Sequence, residues 1–209
     1  MKQPLANSTS APLELLFATT NQGKFAEAQA LLGNWVSLKS LADYPQLLVK
    51  DVAETGETLQ ENAALKAQVY GDEAQIITVA EDSGLFVNAL EGRPGIHSAR
   101  YGASTPERNQ KLLDELKGIA DRSAHFQSVL CLYQPDTGEQ NFFVGRVNGV
   151  IAQQVADLNL AGFGYDFVFI PSGYELTFAE LGMNIKNKLS HRRQAFLTLQ
   201  KHLSSAGTS

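Results

Sequence analysis

Short, largely apolar runs alternate with segments of helical periodicity, and this alternation constrains the chain more than any other feature of its sequence. Residues 13–18 read as a buried strand, and the polar turn Thr19, Thr20, Asn21, Gln22, Gly23 and Lys24 follows. Phe25, Ala28, Leu31 and Leu32 then return at helical spacing, and Gly33 offers a stop. Residues 36–38 can start a second strand. Thr58 and Glu61 have capping-box spacing and predict a helix to Gly71. A strand is expected over residues 76–80, ending in Glu81-Asp82-Ser83-Gly84, with residues 85–90 continuing as a strand or hairpin. Pro106 suits the first turn of a helix bearing Leu112, Leu113, Leu116 and Ile119. Residues 126–133 and 140–151 flank Pro135-Asp136-Thr137-Gly138 as a hairpin. A Gly-rich loop at 161–166, a strand at 167–170, a helical turn at 177–181 and a last helix over 187–203 complete the pattern. Strands interleaved with helices, plus a hairpin, predict an α/β fold with a mixed sheet.

Charge narrows the partners. The 209 residues carry a formal net charge of -5, which disfavours a nucleic-acid polymer as partner, because such binding draws on many Lys and Arg. A small anion needs only a local positive cluster. Cys131 is the sole cysteine, so no internal disulfide or Cys-based zinc site is available. No apolar run has the length of a membrane span. A cytoplasmic setting is expected. Residues 1–12 and 204–209 read as disordered tails around a single domain over 13–203.

Four places carry potential chemistry. The turn Thr19 to Lys24, feeding a helix, can aim backbone N–H groups and a lysine at phosphate, although an ordinary βα connection would look the same. Glu54, Glu81 and Asp82 form an acidic set. Adjacent residues on an extended chain point to opposite faces, so Glu81 and Asp82 can serve different partners; Asp-Ser-Gly is equally a common turn. Lys186, Lys188, His191, Arg192 and Arg193 put positive charge near the start of a helix, where the dipole prefers anions. A solvated basic face is the alternative. Phe163, Gly164, Tyr165 and Asp166 can stack on a base and hydrogen-bond it, or can be a buried aromatic loop. Glu61 is explained by its cap, and Lys66 by a solvated helix face.

Taken in order, these pieces resemble the inosine triphosphate pyrophosphatase family, which cleaves non-standard purine nucleoside triphosphates. The resembling stretches are residues 17–24 (Phe-Ala-Thr-Thr-Asn-Gln-Gly-Lys), 54–66, 81–85 (Glu-Asp-Ser-Gly-Leu), 92–101, 163–166 (Phe-Gly-Tyr-Asp), 177–181 and 186–192 (Lys-Asn-Lys-Leu-Ser-His-Arg). The resemblance implies an elongated mixed sheet flanked by helices, with two lobes and the site in the cleft between them. It implies conversion of ITP, dITP or XTP to the monophosphate and pyrophosphate, with Mg²⁺, in a homodimer. By matching positions, Thr19 to Lys24 cradle the phosphates, and Glu54 and Glu81 hold magnesium. Asp82 activates water, and Ser83 and Lys66 touch the triphosphate. Phe163 to Asp166 hold the base, joined by Lys186, His191 and Arg192.

Two positions depart from the pattern. Phe167 stands where the family usually has Pro, and Ile185 stands where an acidic residue usually precedes the lysine. Both changes border the base loop and predict relaxed base selectivity. A nucleotide-binding regulatory protein with weakened catalysis is the rival reading; retention of Glu54, Glu81, Asp82 and both lysines argues against it. A pyrophosphatase for pyrimidine nucleotides is disfavoured by the Phe163 loop and by Ser190-His191-Arg192.

Overall fold

The computed structural model describes residues 12–33, 35–48 and 52–206. Most of the expected tails, and Asp51 at the head of the acidic loop, lie outside these residues. The elements are β1 (Glu14–Phe17), α1 (Gln22–Leu32), β2 (Ser37–Ser40), α2 (Pro45–Leu48), α3 (Leu59–Ala74), β3 (Thr78–Val87) and β4 (Pro94–Gly95). They continue as α4 (Thr105–Glu115), β5 (Ser123–Gln134), β6 (Glu139–Ile151), β7 (Phe169–Pro171), α5 (Phe178–Leu181), α6 (Met183–Leu189) and α7 (His191–Ala206). A 3₁₀ turn, Ser98–Arg100, lies between β4 and α4.

The strands form one sheet in the order β2-β1-β3-β5-β6-β7, with β4 paired to β3. β1 runs parallel to β2 and β3, whereas β3–β5, β5–β6 and β6–β7 are antiparallel. The sheet is therefore mixed, as expected. The β5–β6 hairpin turns through residues 135–138, with the Gly138 N–H donating to the Gln134 carbonyl at 2.9 Å.

The turn reading falls away at β3. Glu81-Asp82-Ser83-Gly84 is not a turn: these residues lie in the middle of a ten-residue strand, paired in register with Leu130, Val129, Ser128 and Gln127 of β5. Gly84 suits the strand because a Cβ there would run into the Gly95 carbonyl of β4. The last helix is also corrected. It divides at Ser190, whose extended backbone (φ -59°, ψ 150°) separates α6 from α7, and α7 continues past Leu203 to Ala206.

Three apolar clusters set the layers. Val79 of β3 packs with Leu15 and Phe17 of β1, Ala28 of α1, and Phe196 and Leu199 of α7. Ala80, its neighbour on the other face, packs with Ala63, Ala67 and Tyr70 of α3. Farther along the long strands, Leu85, Val87, Phe126 and Ile151 build a separate core with Leu112 and Leu116 near α4, Phe169 and Phe178. Helices thus flank both faces at one end of the sheet, and a second lobe covers its other end. Side-chain alternation along β3 continues from these cores into the space between the lobes. Among the described residues, no helix is long and apolar enough to cross a membrane.

Candidate active site

Glu81 follows Val79 on the face toward α1 and α7. It is buried and accepts from Arg192 Nε through both carboxylate oxygens, at 3.0 and 2.8 Å. Ser128 Oγ donates to it at 2.7 Å, and Lys24 Nζ stands 3.6 Å away. Burial alone would raise the Glu81 pKa, but Arg192 and Lys24 prevail and hold it well below the usual carboxylate range. Arg192 is in turn buried and raised: burial opposes its charge, and Glu81 and Glu27 more than offset that. Its Nη1 donates to Glu27 Oε2 at 2.6 Å.

Asp82 follows Ala80 on the face toward α3. Lys66 Nζ donates to Asp82 Oδ1 at 3.1 Å and to Glu54 Oε1 at 2.6 Å, so one ammonium lies between two carboxylates. Asn62 Nδ2 adds a long contact to Asp82 Oδ2 at 3.4 Å, and Arg100 Nη2 reaches Glu54 Oε2 at 3.2 Å. Burial pushes the Asp82 pKa up; Lys66 opposes this and Glu54 reinforces it. Glu54, where burial is outweighed by Lys66 and Arg100, lies below its ordinary value. Lys66 is raised: burial works against its charge, and Asp82 and Glu54 overcome it.

Helix α1 begins at the same place. Asn21 caps it, accepting from the Lys24 N–H at 3.0 Å, and the Asn21 N–H donates to Thr19 Oγ1 at 3.1 Å. The Lys24 ammonium donates to Ser83 Oγ at 3.3 Å. Burial lowers the Lys24 pKa, with Glu81 opposing and Arg192 and Lys66 adding to the shift. Thr19, Thr20, Asn21, Lys24, Glu54, Lys66, Glu81 and Arg100 line one cavity of about 980 Å³. Gln22 and Gly23 stay in the first turn of α1, and the position a Cβ would take on Gly23 is 3.6 Å from the Phe163 ring.

A smaller cavity of about 230 Å³ shares Asn21 and Lys24 with the first, and Phe163, Gly164, Tyr165, Asp166, Lys186, His191 and Arg192 line it. Gly164 has φ +61°, a backbone conformation that glycine adopts without a Cβ clash, and it turns the loop between Phe163 and Tyr165. Lys186 is buried, donates to Asp166 Oδ2 at 2.6 Å and lies 3.7 Å from the centre of the Phe163 ring. Asp166 Oδ2 also accepts the Phe163 N–H at 2.9 Å. With Ile185 before it, Lys186 thus draws its counter-charge from Asp166 and from Glu27 at 3.8 Å. The His191 ring stacks on Phe126 at 4.8 Å, and its Nδ1 is buried without a partner. Burial, with Arg192 adding to it, puts the His191 pKa well below the ordinary imidazole value.

The structure thus brings most of the expected site residues to one pair of joined cavities, with Gln22, Gly23 and Asp82 outside the lining itself, and it divides the acidic set. Glu54 and Asp82 meet at Lys66, whereas Glu81 turns to Arg192. Lys66 is no solvated helix lysine. Thr58 caps α3 through the Glu61 N–H at 3.1 Å as the spacing predicts, whereas the Glu61 carboxylate accepts from the Glu57 N–H at 2.7 Å and not from the Thr58 N–H that a full capping box would use. Sequence reading missed Glu27, Ser128, Asn62 and Arg100. Asn62 and Arg100 lay inside the resembling stretches 54–66 and 92–101 without being singled out; Glu27 and Ser128 join the site only through contacts far apart in the chain.

The donors can be tested against a magnesium ion. Glu54 and Asp82 offer hard carboxylate oxygens beside the larger cavity, where Lys66 shows that the spot favours a positive charge, and Mg²⁺ is commonly held by one or two carboxylates with substrate phosphates. They fit. Glu81 fits less well, because Arg192 and Ser128 already engage its oxygens. Among the described residues, no group of three or more His, Cys, Asp and Glu side chains is placed to hold a metal.

The protein is thus a mixed-sheet α/β fold with two adjoining cavities, lined by Lys24, Lys66, Lys186 and Arg192 together with the carboxylates Glu54, Glu81 and Asp166 and the Phe163 ring. The sequence pattern of the Ham1 family matches residues 15–202. A dITP/XTP pyrophosphatase of Christiangramia forsetii is 40% identical over 195 residues, covering 92% of this chain and 100% of the relative. A HAM1 protein structure from Coxiella burnetii superposes with TM-score 0.84 at 35% identity, covering 92% of this chain and 99% of that one. The Staphylococcus aureus Ham1 structure gives TM-score 0.83 at 36% identity, covering 92% and 99%. The chain belongs to the Ham1 family, in agreement with the resemblance drawn from its motifs.

Proposed function

We propose that this Ham1-family enzyme, a nucleoside triphosphate pyrophosphatase, hydrolyses dITP, ITP and XTP to the monophosphate and pyrophosphate with Mg²⁺. The observation that carries the reading is the division of labour on β3: Glu81 anchors the Arg192 and Lys24 cations on one face, and Asp82 confronts Glu54 and Lys66 on the other. In this reading the triphosphate lies along the larger cavity, against Thr19, Thr20, Asn21, Gln22, Gly23, Lys24 and Lys66, with Ser83 reaching it from the smaller cavity beside Lys24. The base enters the smaller one, over Phe163 and beside Gly164, Tyr165 and Asp166, with its O6 toward Lys186, His191 and Arg192. A 6-amino group there would face donors and leave buried polar groups unpaired.

Asp82 accepts the proton of a water that attacks the α-phosphorus, and the bond to the β-phosphate oxygen breaks to release pyrophosphate. Lys24 and Lys66 neutralise the charge that develops. Glu54 would hold Mg²⁺ with Asp82 beside it; Glu81 would serve only on releasing Arg192. The ion supplies charge neutralisation on the triphosphate oxygens. A homodimer working in the cytoplasm belongs to the same proposal. The test is pyrophosphate release from ITP, dITP, XTP and the four standard triphosphates, with Mg²⁺ and with chelator. Preferential, metal-dependent release from the non-standard purines is expected. Nucleotide binding without release would favour a regulatory protein instead.

A further inference from the structure

Reading O6 leaves one selection unexplained. Hypoxanthine, xanthine and guanine all carry a 6-oxo group and differ at C2, which bears hydrogen, a carbonyl oxygen or an amino group. A site that reads O6 alone rejects adenine but admits guanine. We propose that Arg108, with Thr105 beside it, reads position C2 of the purine, favouring a 2-oxo group and opposing a 2-amino group. The inference rests on the reading that the base lies in the smaller cavity.

Arg108 lines that cavity from α4, together with Thr105 and with Ser98 and Ala99 of the 3₁₀ turn. Its guanidinium is held in place: Nη1 donates to the Ala99 carbonyl at 2.5 Å and Nη2 to Thr105 Oγ1 at 3.1 Å. Its Nε is buried without a partner. A guanidinium has five N–H donors and no acceptor, so Arg108 offers hydrogen to a ligand and takes none.

The same wall is fixed to the base loop. Asn109, the next residue, is buried and donates from Nδ2 to the Gly164 carbonyl at 3.0 Å. Tyr165 OH donates to the Ser98 carbonyl at 2.9 Å. Helix α4, the 3₁₀ turn and the loop therefore hold one another in register. With phosphates toward Lys24, a ring face on Phe163 and O6 toward Lys186, His191 and Arg192, the C2 edge is left to face Arg108.

Xanthine brings an acceptor oxygen to this donor wall. Guanine brings two more N–H groups, and both partners would lose water without gaining a bond. Hypoxanthine, with hydrogen at C2, falls between the two.

The experiment measures kcat/KM for XTP, ITP, GTP and dITP with the full chain and with Arg108→Met, which keeps the length of the side chain and removes its donors. The XTP/ITP ratio is expected to fall about tenfold, the scale of one charge-assisted hydrogen bond, and the GTP/ITP ratio to rise. The dITP/ITP ratio should not move. Unchanged XTP/ITP and GTP/ITP ratios would overturn the proposal, and so would a shift confined to dITP/ITP, which would assign Arg108 to the ribose. If the variant does not fold, the products decide on the unaltered protein: XMP should bind about tenfold more tightly than IMP, and equal binding overturns the idea. Absence of pyrophosphate release from every non-standard purine would instead sink the pyrophosphatase reading itself.

Discussion

At the scale of single residues, Asp82 and Glu81 are neighbours with opposite duties. Asp82→Asn keeps the size of the side chain and its contact with Asn62 but removes the proton acceptor. Pyrophosphate release should fall by about 10²–10⁴, the usual worth of a general base, while nucleotide binding by calorimetry stays near that of the parent. Near-parental turnover would remove Asp82 from the chemistry. Glu81→Gln acts on stability instead. It leaves the buried Arg192 with Glu27 alone, and a loss of about 3 kcal/mol in urea unfolding is expected. pH follows with a definite sign. Glu81 is depressed in the folded protein, so its contribution is present above the ordinary Glu value of 4.5 and is lost as pH falls below it. His191 is depressed from 6.5, so the unfolded chain takes up that proton first, and stability already starts to fall below pH 6.5. Chemical unfolding followed from about pH 7 down to about pH 3 should show both declines, and in Glu81→Gln the lower one should be shallower, with the other depressed carboxylates such as Glu54 still contributing to it.

At the scale of elements, the interleaving of strands and helices was legible because it depends on local periodicity, and the β5–β6 hairpin because Asp-Thr-Gly has turn chemistry. The middle of β3 was not. Glu81, Asp82, Ser83 and Gly84 carry turn propensities, and only long-range pairing with β5 and ion pairs to α7 and α3 keep them extended. The break at Ser190 was hidden for a similar reason: the helical pattern runs through it, and the close approach of α7 to β6 shows only in three dimensions. Gly145 of β6 permits that approach. A Cβ there would land on the His191 carbonyl and against the Ala195 N–H. Gly145→Ala must push the start of α7 away from the sheet, and His191 and Arg192 with it. The expected cost is about 1–3 kcal/mol of stability, with a rise in KM for ITP exceeding that of a surface control such as Lys201→Ala, an exposed residue of α7. An unchanged KM would mean that α7 is not held by this contact. The site residues were legible as a set through motif order. Their partners Glu27, Ser128 and Asn109 were not, because each meets its partner 47 or more residues away in the chain.

At the scale of the whole molecule, an acidic protein gathers a concentrated set of paired buried charges along one cleft. Lys24, Lys66, Lys186 and Arg192 surround the two cavities, and Arg192 and Lys66 each push the Lys24 pKa down. The carboxylates Glu27, Glu54, Glu81, Asp82 and Asp166 hold these cations in place without a ligand. The two lobes thus meet across a charged seam, apolar only at its flanks. A polyanion that enters the seam adds charge that the cations favour and bridges elements of both lobes. Pyrophosphate with Mg²⁺, or IMP, should therefore stabilise the fold. At a hundredfold excess over its dissociation constant, such a ligand contributes about 2.7 kcal/mol. For a chain of this size that corresponds to a rise in Tm of roughly 5–10 °C. Sulfate at equal ionic strength gives the control for anion effects outside the cleft. Glu54→Gln should weaken the part of the shift that depends on Mg²⁺ and spare the part that IMP produces alone. Equal shifts with pyrophosphate and sulfate would mean that the cleft recognises charge without polyphosphate geometry, and the assignment of the larger cavity would have to be withdrawn.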